Sequence, residues 1–171
     1  MASNKPVIVR FYRFQNRLRD KTAGLAPGNV SISPEALEKA EKALSKMSED
    51  YPDWVSGLIV KLQEQHGRCV DSPELRNDCF EAINHIAHDM KGQGGTFGYP
   101  LITNFADTLY GFTDTRSDDE ITDRQIELVK SHLDAMRAVI RGRVSGGGGE
   151  IGKSLTVSLN KAIEAFESSN S

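Results

Sequence analysis

The chain has 171 residues, a net charge of −3, and 26% charged against 38% hydrophobic residues. This length predicts one domain with appendages, large enough to bury a core. The charge gives no general reason to expect nucleic-acid binding, and no apolar run approaches the ~20 residues of a membrane span. The two cysteines lack the spacing of a disulfide framework or zinc knuckle, which indicates a reduced, cytoplasmic setting.

The start of the chain is basic and amphipathic. Four apolar residues recur on one side of residues 7–20, which predicts a helix. We interpret residues 1–30 as a basic strap that packs on the body of the protein. The apolar residues are Val7, Phe11, Phe14 and Leu18, and the basic ones are Lys5, Arg10, Arg13, Arg17, Arg19 and Lys21.

The next segment carries clear helix signals. Ser33 as N-cap and Pro34 at the first helical position predict the start of a strong helix. Pro52 removes a backbone N–H and clashes one turn back, so the helix is expected to kink or restart there. The predicted core-facing stripe consists of Leu37, Ala40, Leu44, Met47, Trp54, Leu58 and Leu62.

Further helices follow at short intervals. One is predicted from near Pro73 into the 86–99 stretch, one after Gly98, one after the capping residues of 117–125, and a short last one beyond a flexible tetraglycine hinge at 146–149. No strand pattern is found. The sequence predicts an all-α protein: an antiparallel four-helix bundle over 31–144, preceded by the strap and followed by a Gly-rich hinge and C-terminal helix at 145–171.

The stretch "IAHDMKGQGGTFGY", residues 86–99, places a histidine on an unexpected face. On a wheel of about 100° per residue, the apolar residues between Leu75 and Met90 gather in one sector. His88 lies opposite that sector and is predicted to face solvent. Lys91 lies one turn on, and Gly92 and Gly95 fall near the same stripe, where their missing Cβ atoms leave a clearing. Gly98 fits a helix terminator, and Gly94 has no specific explanation.

Such a surface suits phosphoryl transfer. A bare imidazole nitrogen is a nucleophile toward phosphorus, and the phosphoramidate it forms is labile enough to pass the group on. A nearby ammonium favours the incoming phosphoryl oxygens. The glycine clearing would let another protein approach the ring.

The segment "AHDMKGQGGTFGY" resembles the signature of histidine phosphotransfer (HPt) domains, in particular the phosphotransfer domain of chemotaxis histidine kinases. The shared features are alanine–histidine, lysine at plus three, glycine at plus four and a closing glycine near plus ten. The resemblance implies a four-helix bundle over roughly 34–143. It makes His88 the phospho-acceptor, Lys91 the phosphate-steering lysine and Gly92 the access glycine.

The resemblance also implies partners, and at one position the chain differs from the family pattern. Partners would be receiver domains and a hybrid sensor histidine kinase, with Mg²⁺ supplied by the receiver and no cofactor of the chain's own. The chain would be a relay intermediate and not an enzyme, because no kinase domain fits in the remaining length. Asn84, His85, Gly92 and Gly95 are predicted to form the docking surface. Where the family often has Glu, Gln or His to orient the imidazole, this chain has Asp107, with Tyr110 as a weaker choice.

Three other interpretations remain. A helical adaptor could use the same face without accepting phosphate. Glu81, His85 and His88 could hold a metal, although such sites usually face the core of a bundle. Residues Gly147–Ser154 match the G-x-x-x-x-G-K-S pattern of a P-loop, which needs a preceding β-strand. The helical pattern before it favours a plain hinge.

Overall fold

The computed structural model describes residues 33–114 and 120–168. The predicted strap, residues 1–30 with its helix over 7–20, lies outside them. The chain divides into two compact units, Met1–Ala40 and Glu41–Ser171. Within the described residues the protein is all-helical and has no strand, which confirms the prediction of an all-α protein. No helix in this part of the chain is long and apolar enough to cross a membrane.

Five α-helices and one 3₁₀ turn occur in the described ranges. They are α1 (Pro34–Asp71), the 3₁₀ turn Pro73–Leu75, α2 (Arg76–Lys91), α3 (Pro100–Thr113), α4 (Asp123–Arg141) and α5 (Gly149–Ser168). In the second unit α2 packs on α3, α3 on α4, and α4 on α5.

Helix α1 begins as predicted. The Ser33 hydroxyl accepts a hydrogen bond from the Ala36 N–H at 3.1 Å. Of the two outcomes predicted at Pro52, a kink or a restart, the restart is wrong, because one helix runs through this residue. Pro52 is buried, and the neighbouring Tyr51 ring lies 4.9 Å from that of Phe97. Packing at this point therefore offsets the missing backbone hydrogen bond.

The predicted core stripe of α1 is only partly correct. Leu44 and Met47 are 47% and 54% exposed, and Leu37 and Trp54 are exposed as well. From Tyr51 onward the helix is buried at helical spacing, through Val55, Ile59 and Leu62 of its C-terminal half. The periodicity of the first half is real, but nothing in the described residues buries it.

One hydrophobic core joins the C-terminal half of α1 to α2, α3 and α4, and Leu159 of α5 completes it. Helix α4 begins with a capping box: Thr122 Oγ1 accepts from the Gln125 N–H, and the Thr122 N–H donates to Gln125 Oε1 at 2.8 Å. The apolar residues that recur at spacings of three and four along α4 are all buried. They are Ile126, Val129, Leu133, Met136 and Ile140.

The glycine run at 146–149 forms a tight turn into α5. Gly146, Gly148 and Gly149 have φ values of +57°, +71° and +55°, a region that favours glycine. A Cβ on Gly148 would lie 2.8 Å from Leu101 Cδ1, and one on Gly152 would lie 2.4 Å from the Gly147 carbonyl oxygen. Close packing therefore requires glycine at 148, against Leu101 of α3, and at 152, against the Gly147 backbone, whereas Gly146 and Gly149 are favoured by their positive φ alone. The segment follows helix α4 and not a strand, so it lacks the context of a P-loop.

A buried histidine couples the stability of the fold to pH. His132 is fully buried, Nδ1 lies 2.8 Å from the Leu128 carbonyl oxygen, and Nε2 has no hydrogen-bond partner. Burial lowers its pKa from 6.5, against a smaller opposing effect of the Leu128 hydrogen bond. Burial also lowers the pKa of His66. The unfolded chain therefore binds these protons more readily than the folded chain.

We expect the free energy of unfolding to fall as the pH drops through about 6.5, by at most about 1.4 kcal/mol per pH unit for each histidine. Urea denaturation of the wild type and of His132→Leu between pH 7.5 and 5.5 measures this. The variant should show the shallower pH dependence, because it cannot take up the proton on unfolding. Identical slopes would contradict the role of His132.

Candidate functional site

His88 lies on the solvent face of α2. Ile83, Ala87 and Met90 on the same helix are fully buried, whereas His88 is exposed, as the helical wheel predicts. Its ring centroid lies 5.3 Å from that of Tyr110 on α3, with the two planes 53° apart. Neither ring nitrogen has a hydrogen-bond partner among the described residues. Both nitrogens are therefore open to an incoming group.

Lys91 is held against α3 one turn after His88. Its Nζ lies 3.3 Å from Asp107 Oδ1 and 3.8 Å from the centre of the Tyr110 ring. The Lys91 side chain is 28% exposed, whereas that of Asp107 is 64% exposed. An exposed ion pair and an exposed cation–π contact are each worth about 1 kcal/mol or less. The ammonium is therefore positioned, but it is free to exchange partners.

Asp107 does not contact the imidazole. It was predicted to accept a hydrogen bond from His88, but its carboxylate instead pairs with Lys91. The side chain beside the imidazole is Tyr110, the weaker choice of the sequence prediction. Asp107 and Tyr110 are three residues apart on one face of α3, so both reach the same part of α2.

Asn84 and His85, two predicted docking residues, differ in their surroundings. The Asn84 amide donates to the Tyr110 carbonyl oxygen at 2.8 Å and to Thr113 Oγ1 at 3.2 Å. Asn84 is therefore tied to α3. His85 is 77% exposed, and its Nε2 lies 3.9 Å from Glu81 Oε1. It remains available to a partner.

The glycine-rich stretch is a turn and not a helical stripe. Helix α2 ends at Lys91, and residues 92–98 form successive turns before α3, so the prediction that the helix extends to Gly98 is wrong. Gly92 keeps a helical backbone, with φ −75° and ψ −16°, whereas Gly95 lies beyond the helix. The Gly95 N–H donates to Thr103 Oγ1 at 2.9 Å. Gly98 has φ +84°, and its carbonyl oxygen accepts from the Gly146 N–H at 2.8 Å.

The glycines of this turn differ in the space around them. A Cβ on Gly94 would lie 2.7 Å from the Tyr99 carbonyl oxygen and 2.8 Å from the Thr103 nitrogen. A Cβ on Gly92 would meet only the Asp89 carbonyl oxygen, at 3.8 Å. Gly94, which has no explanation from the sequence, is thus required by the fold. The space beside exposed Gly92 is open to a partner.

The described ranges contain no group of three His, Cys, Asp or Glu side chains that could hold a metal ion. Glu81, His85 and His88 therefore do not converge as the metal-site interpretation requires. The two cysteines are buried. Burial raises the pKa of Cys69 to about 12, and the adjacent Cys79 thiol adds to the effect. Because only the thiolate is a good ligand or nucleophile, Cys69 serves as a core residue.

Two residues of the site have contacts that the sequence does not predict. Asn84 anchors the backbone of α3 at Tyr110, and the Tyr110 ring contacts both His88 and Lys91. The spacing in the sequence indicates the position of Asn84, because a residue four positions before His88 lies on the same face of the helix. The sequence could not show which residue of α3 lies opposite His88, since that depends on the length of the turn at 92–98.

Comparison with known proteins adds little. No family model matches the chain, and no solved structure matches it. A stretch of 76 residues is 38% identical to part of the cysteine–tRNA ligase of Parabacteroides distasonis. This stretch is 44% of the present chain but spans only 13% of the ligase.

The contrast between Gly94 and Gly92 can be tested. We expect Gly94→Ala to lower the free energy of unfolding by about 1–3 kcal/mol, because backbone atoms must move to admit the methyl group. Gly92→Ala should leave stability unchanged or slightly higher, since the site is open and alanine favours helix. Urea denaturation of both variants measures the difference. Equal stability of the two would show that Gly94 is not tightly packed.

Proposed function

We propose that the protein is an HPt-type histidine phosphotransfer protein of a two-component phosphorelay. It accepts a phosphoryl group on His88 from a receiver-domain aspartate or a kinase and passes it to another receiver. It acts as a phosphoryl carrier and not as an autonomous enzyme. The proposal also places it in the cytoplasm and makes α1 to α4 the four-helix bundle of that family, an arrangement with which their shared core is compatible.

The observation that carries the proposal is the setting of His88. The imidazole is exposed, its nitrogens have no hydrogen-bond partner in the described ranges, and an ammonium is held against the adjoining face. His132 is the opposite case, because it is fully buried and its Nδ1 contacts the Leu128 carbonyl oxygen. Of the four histidines, only His85 and His88 are exposed on α2, and only His88 lies beside the Lys91–Tyr110 pair.

The chemistry is a direct transfer. Nε2 of neutral His88 attacks the phosphorus in line with the departing aspartyl oxygen. The N–P bond forms as the P–O bond breaks, the carboxylate leaves with the electron pair, and Nδ1 of the resulting imidazolium releases its proton to solvent. The transition state is loose, so positioning and charge do most of the work. Lys91 would stabilise the phosphoryl oxygens, and the receiver would bring Mg²⁺ and its acidic residues.

The surroundings of His88 permit such a partner. Gly92 and Gly95 are exposed in the turn that follows α2, and the space beside Gly92, one helical turn after His88, holds no side chain. His85 is exposed one turn before His88. These residues form the proposed docking surface for receiver domains. Asn84 supports it from within, since its amide is already bonded to α3.

His88→Ala should abolish phosphorylation. Incubation with a phosphorylated receiver or a hybrid kinase should place acid-labile, base-stable phosphate on the wild-type chain and none on the variant. The matched control is His85→Ala, which removes the other exposed imidazole of α2 and, as a docking residue, should slow labelling without abolishing it. Unchanged labelling of His88→Ala would refute the assignment.

The same assay separates the carrier from an adaptor. An adaptor that does not accept phosphate would bind the receiver in the wild type and in His88→Ala alike, and no phosphohistidine would form. The carrier predicts labelling of the wild-type chain together with loss of the label in the variant. Receiver binding measured beside the label therefore decides between the two.

Lys91→Gln should slow phosphorylation about tenfold, because one cationic partner of the phosphoryl oxygens is lost at a partly exposed site. Lys130→Gln is the control: Lys130 also lies near a carboxylate, with 3.9 Å between its Nζ and Asp134 Oδ2, but on α4. Thermal melting of both variants checks that the fold is kept. Equal transfer rates for the Lys91 and Lys130 variants would remove Lys91 from the mechanism.

A further inference from the structure

The Tyr110 ring is shared by the two groups that the proposed transfer needs. The centroid of the Tyr110 ring lies 3.8 Å from Lys91 Nζ and 5.3 Å from the centroid of the His88 ring. The first contact is in the range of a cation–π interaction and the second in that of an aromatic pair. One side chain of α3 thus touches both the nucleophile and the cation of α2.

Hydrogen bonds fix the part of the α3 backbone that carries this ring. Asn84 donates to the Tyr110 carbonyl oxygen at 2.8 Å and to Thr113 Oγ1 at 3.2 Å. The Thr113 hydroxyl in turn donates to the Leu109 carbonyl oxygen at 2.9 Å, and Thr113 is 2% exposed. This partly buried network connects the backbone of α3 at Tyr110 to the turn of α2 that precedes His88. The backbone that carries the ring is therefore held at a fixed position along α2.

The network has a consequence for the imidazole. No described residue accepts a hydrogen bond from His88, and Asp107, the nearby carboxylate of α3, pairs with Lys91. The orientation of the imidazole thus depends on packing against the Tyr110 ring and not on a hydrogen bond. The same ring keeps the ammonium beside the imidazole before any phosphate arrives. Such preorganisation removes part of the ordering that the transfer would otherwise require.

We propose that Tyr110 is the positioning residue of this site, which aligns His88 and Lys91 for the incoming phosphoryl group through its aromatic ring and not through its hydroxyl. This inference rests on the proposed function. It assigns to Tyr110 a part that in the resembled family often falls to a hydrogen-bonding side chain. Asp107 then serves as the resting partner of Lys91, which the phosphoryl oxygens replace.

The test compares three variants of the full chain with the wild type. Tyr110→Leu removes the ring, Tyr110→Phe removes only the hydroxyl, and Phe112→Leu removes another aromatic ring of α3. Phe112 is a matched control because its ring contacts Phe166 and His132 and is not in contact with His88. Potassium phosphoramidate serves as the phosphoryl donor, so the rate does not depend on docking of a receiver.

Two measurements are made on each chain. The first is the initial rate of phosphohistidine formation, and the second is the proton chemical shift of the Lys91 ε-methylene group. A ring 3.8 Å from Nζ should shift these protons upfield. We expect Tyr110→Leu to lose this shift and to react about tenfold more slowly. Tyr110→Phe and Phe112→Leu should keep the shift and stay within about twofold of the wild-type rate.

The outcomes separate the inference from the function on which it rests. Normal phosphorylation of Tyr110→Leu would overturn the inference alone, as would an unshifted Lys91 signal in the wild type. A Tyr110→Phe rate as low as that of Tyr110→Leu would assign the effect to the hydroxyl and overturn it too. A wild-type chain that accepts no phosphate from phosphoramidate or from a receiver would overturn the proposed function, and the inference with it.

Discussion

The close approach of Gly94 to the start of α3 is the contact on which the arrangement of the site depends. The Tyr99 N–H donates to the Gly94 carbonyl oxygen at 2.8 Å, and there is no room for a Cβ between residue 94 and Thr103. This contact closes the turn and sends α3 back along α2. Asn84 then fixes the register with its bond to the Tyr110 carbonyl. A looser turn would leave His88 and Lys91 exposed but without Tyr110 and Asp107 beside them.

The two faces of α2 serve different ends. The buried face contributes Cys79, Phe80 and Ile83 to the core, which fixes the helix rigidly. The opposite face carries an imidazole and an ammonium whose ring and ion-pair contacts within the described residues are all weak ones with α3. A rigid backbone with exchangeable side-chain contacts suits the proposed role of a phosphoryl carrier, because such a carrier must receive and release the group in turn. In the proposed transfer the receiver supplies Mg²⁺ and the acidic residues, so the chain itself needs to supply only the nucleophile and a cation.

Much of the fold could be predicted from the sequence, and the reasons are local. Ser33, Thr122 and the apolar period of α4 act through neighbouring backbone and one helical face, so their signals survive without knowledge of the rest. The first half of α1 shows the limit. Leu44 and Met47 have the period of a core stripe, yet they are exposed. Periodicity states which residues share a face, but not whether another element covers that face.

The candidate site divides in the same way. The exposure of His88 follows from its own helix, so the wheel predicts it. The partner of Asp107 depends on where α3 stands relative to α2, which a seven-residue glycine-rich turn decides. From the sequence, the Asp107 carboxylate has two possible partners, the His88 imidazole and the Lys91 ammonium. Its position on α3 brings it to Lys91. The tight packing of Gly94 is equally invisible in the sequence, because its neighbours Tyr99 and Thr103 meet it only in three dimensions.

The most direct test of the central claim is nitrogen NMR of the chain labelled with ¹⁵N-histidine, before and after incubation with a phosphorylated receiver domain. We expect that one of the four imidazoles changes, that it is His88, and that phosphorus is bonded to Nε2. Spectra in which all four imidazoles remain unmodified, or in which phosphorus is bonded to a different histidine, would contradict it.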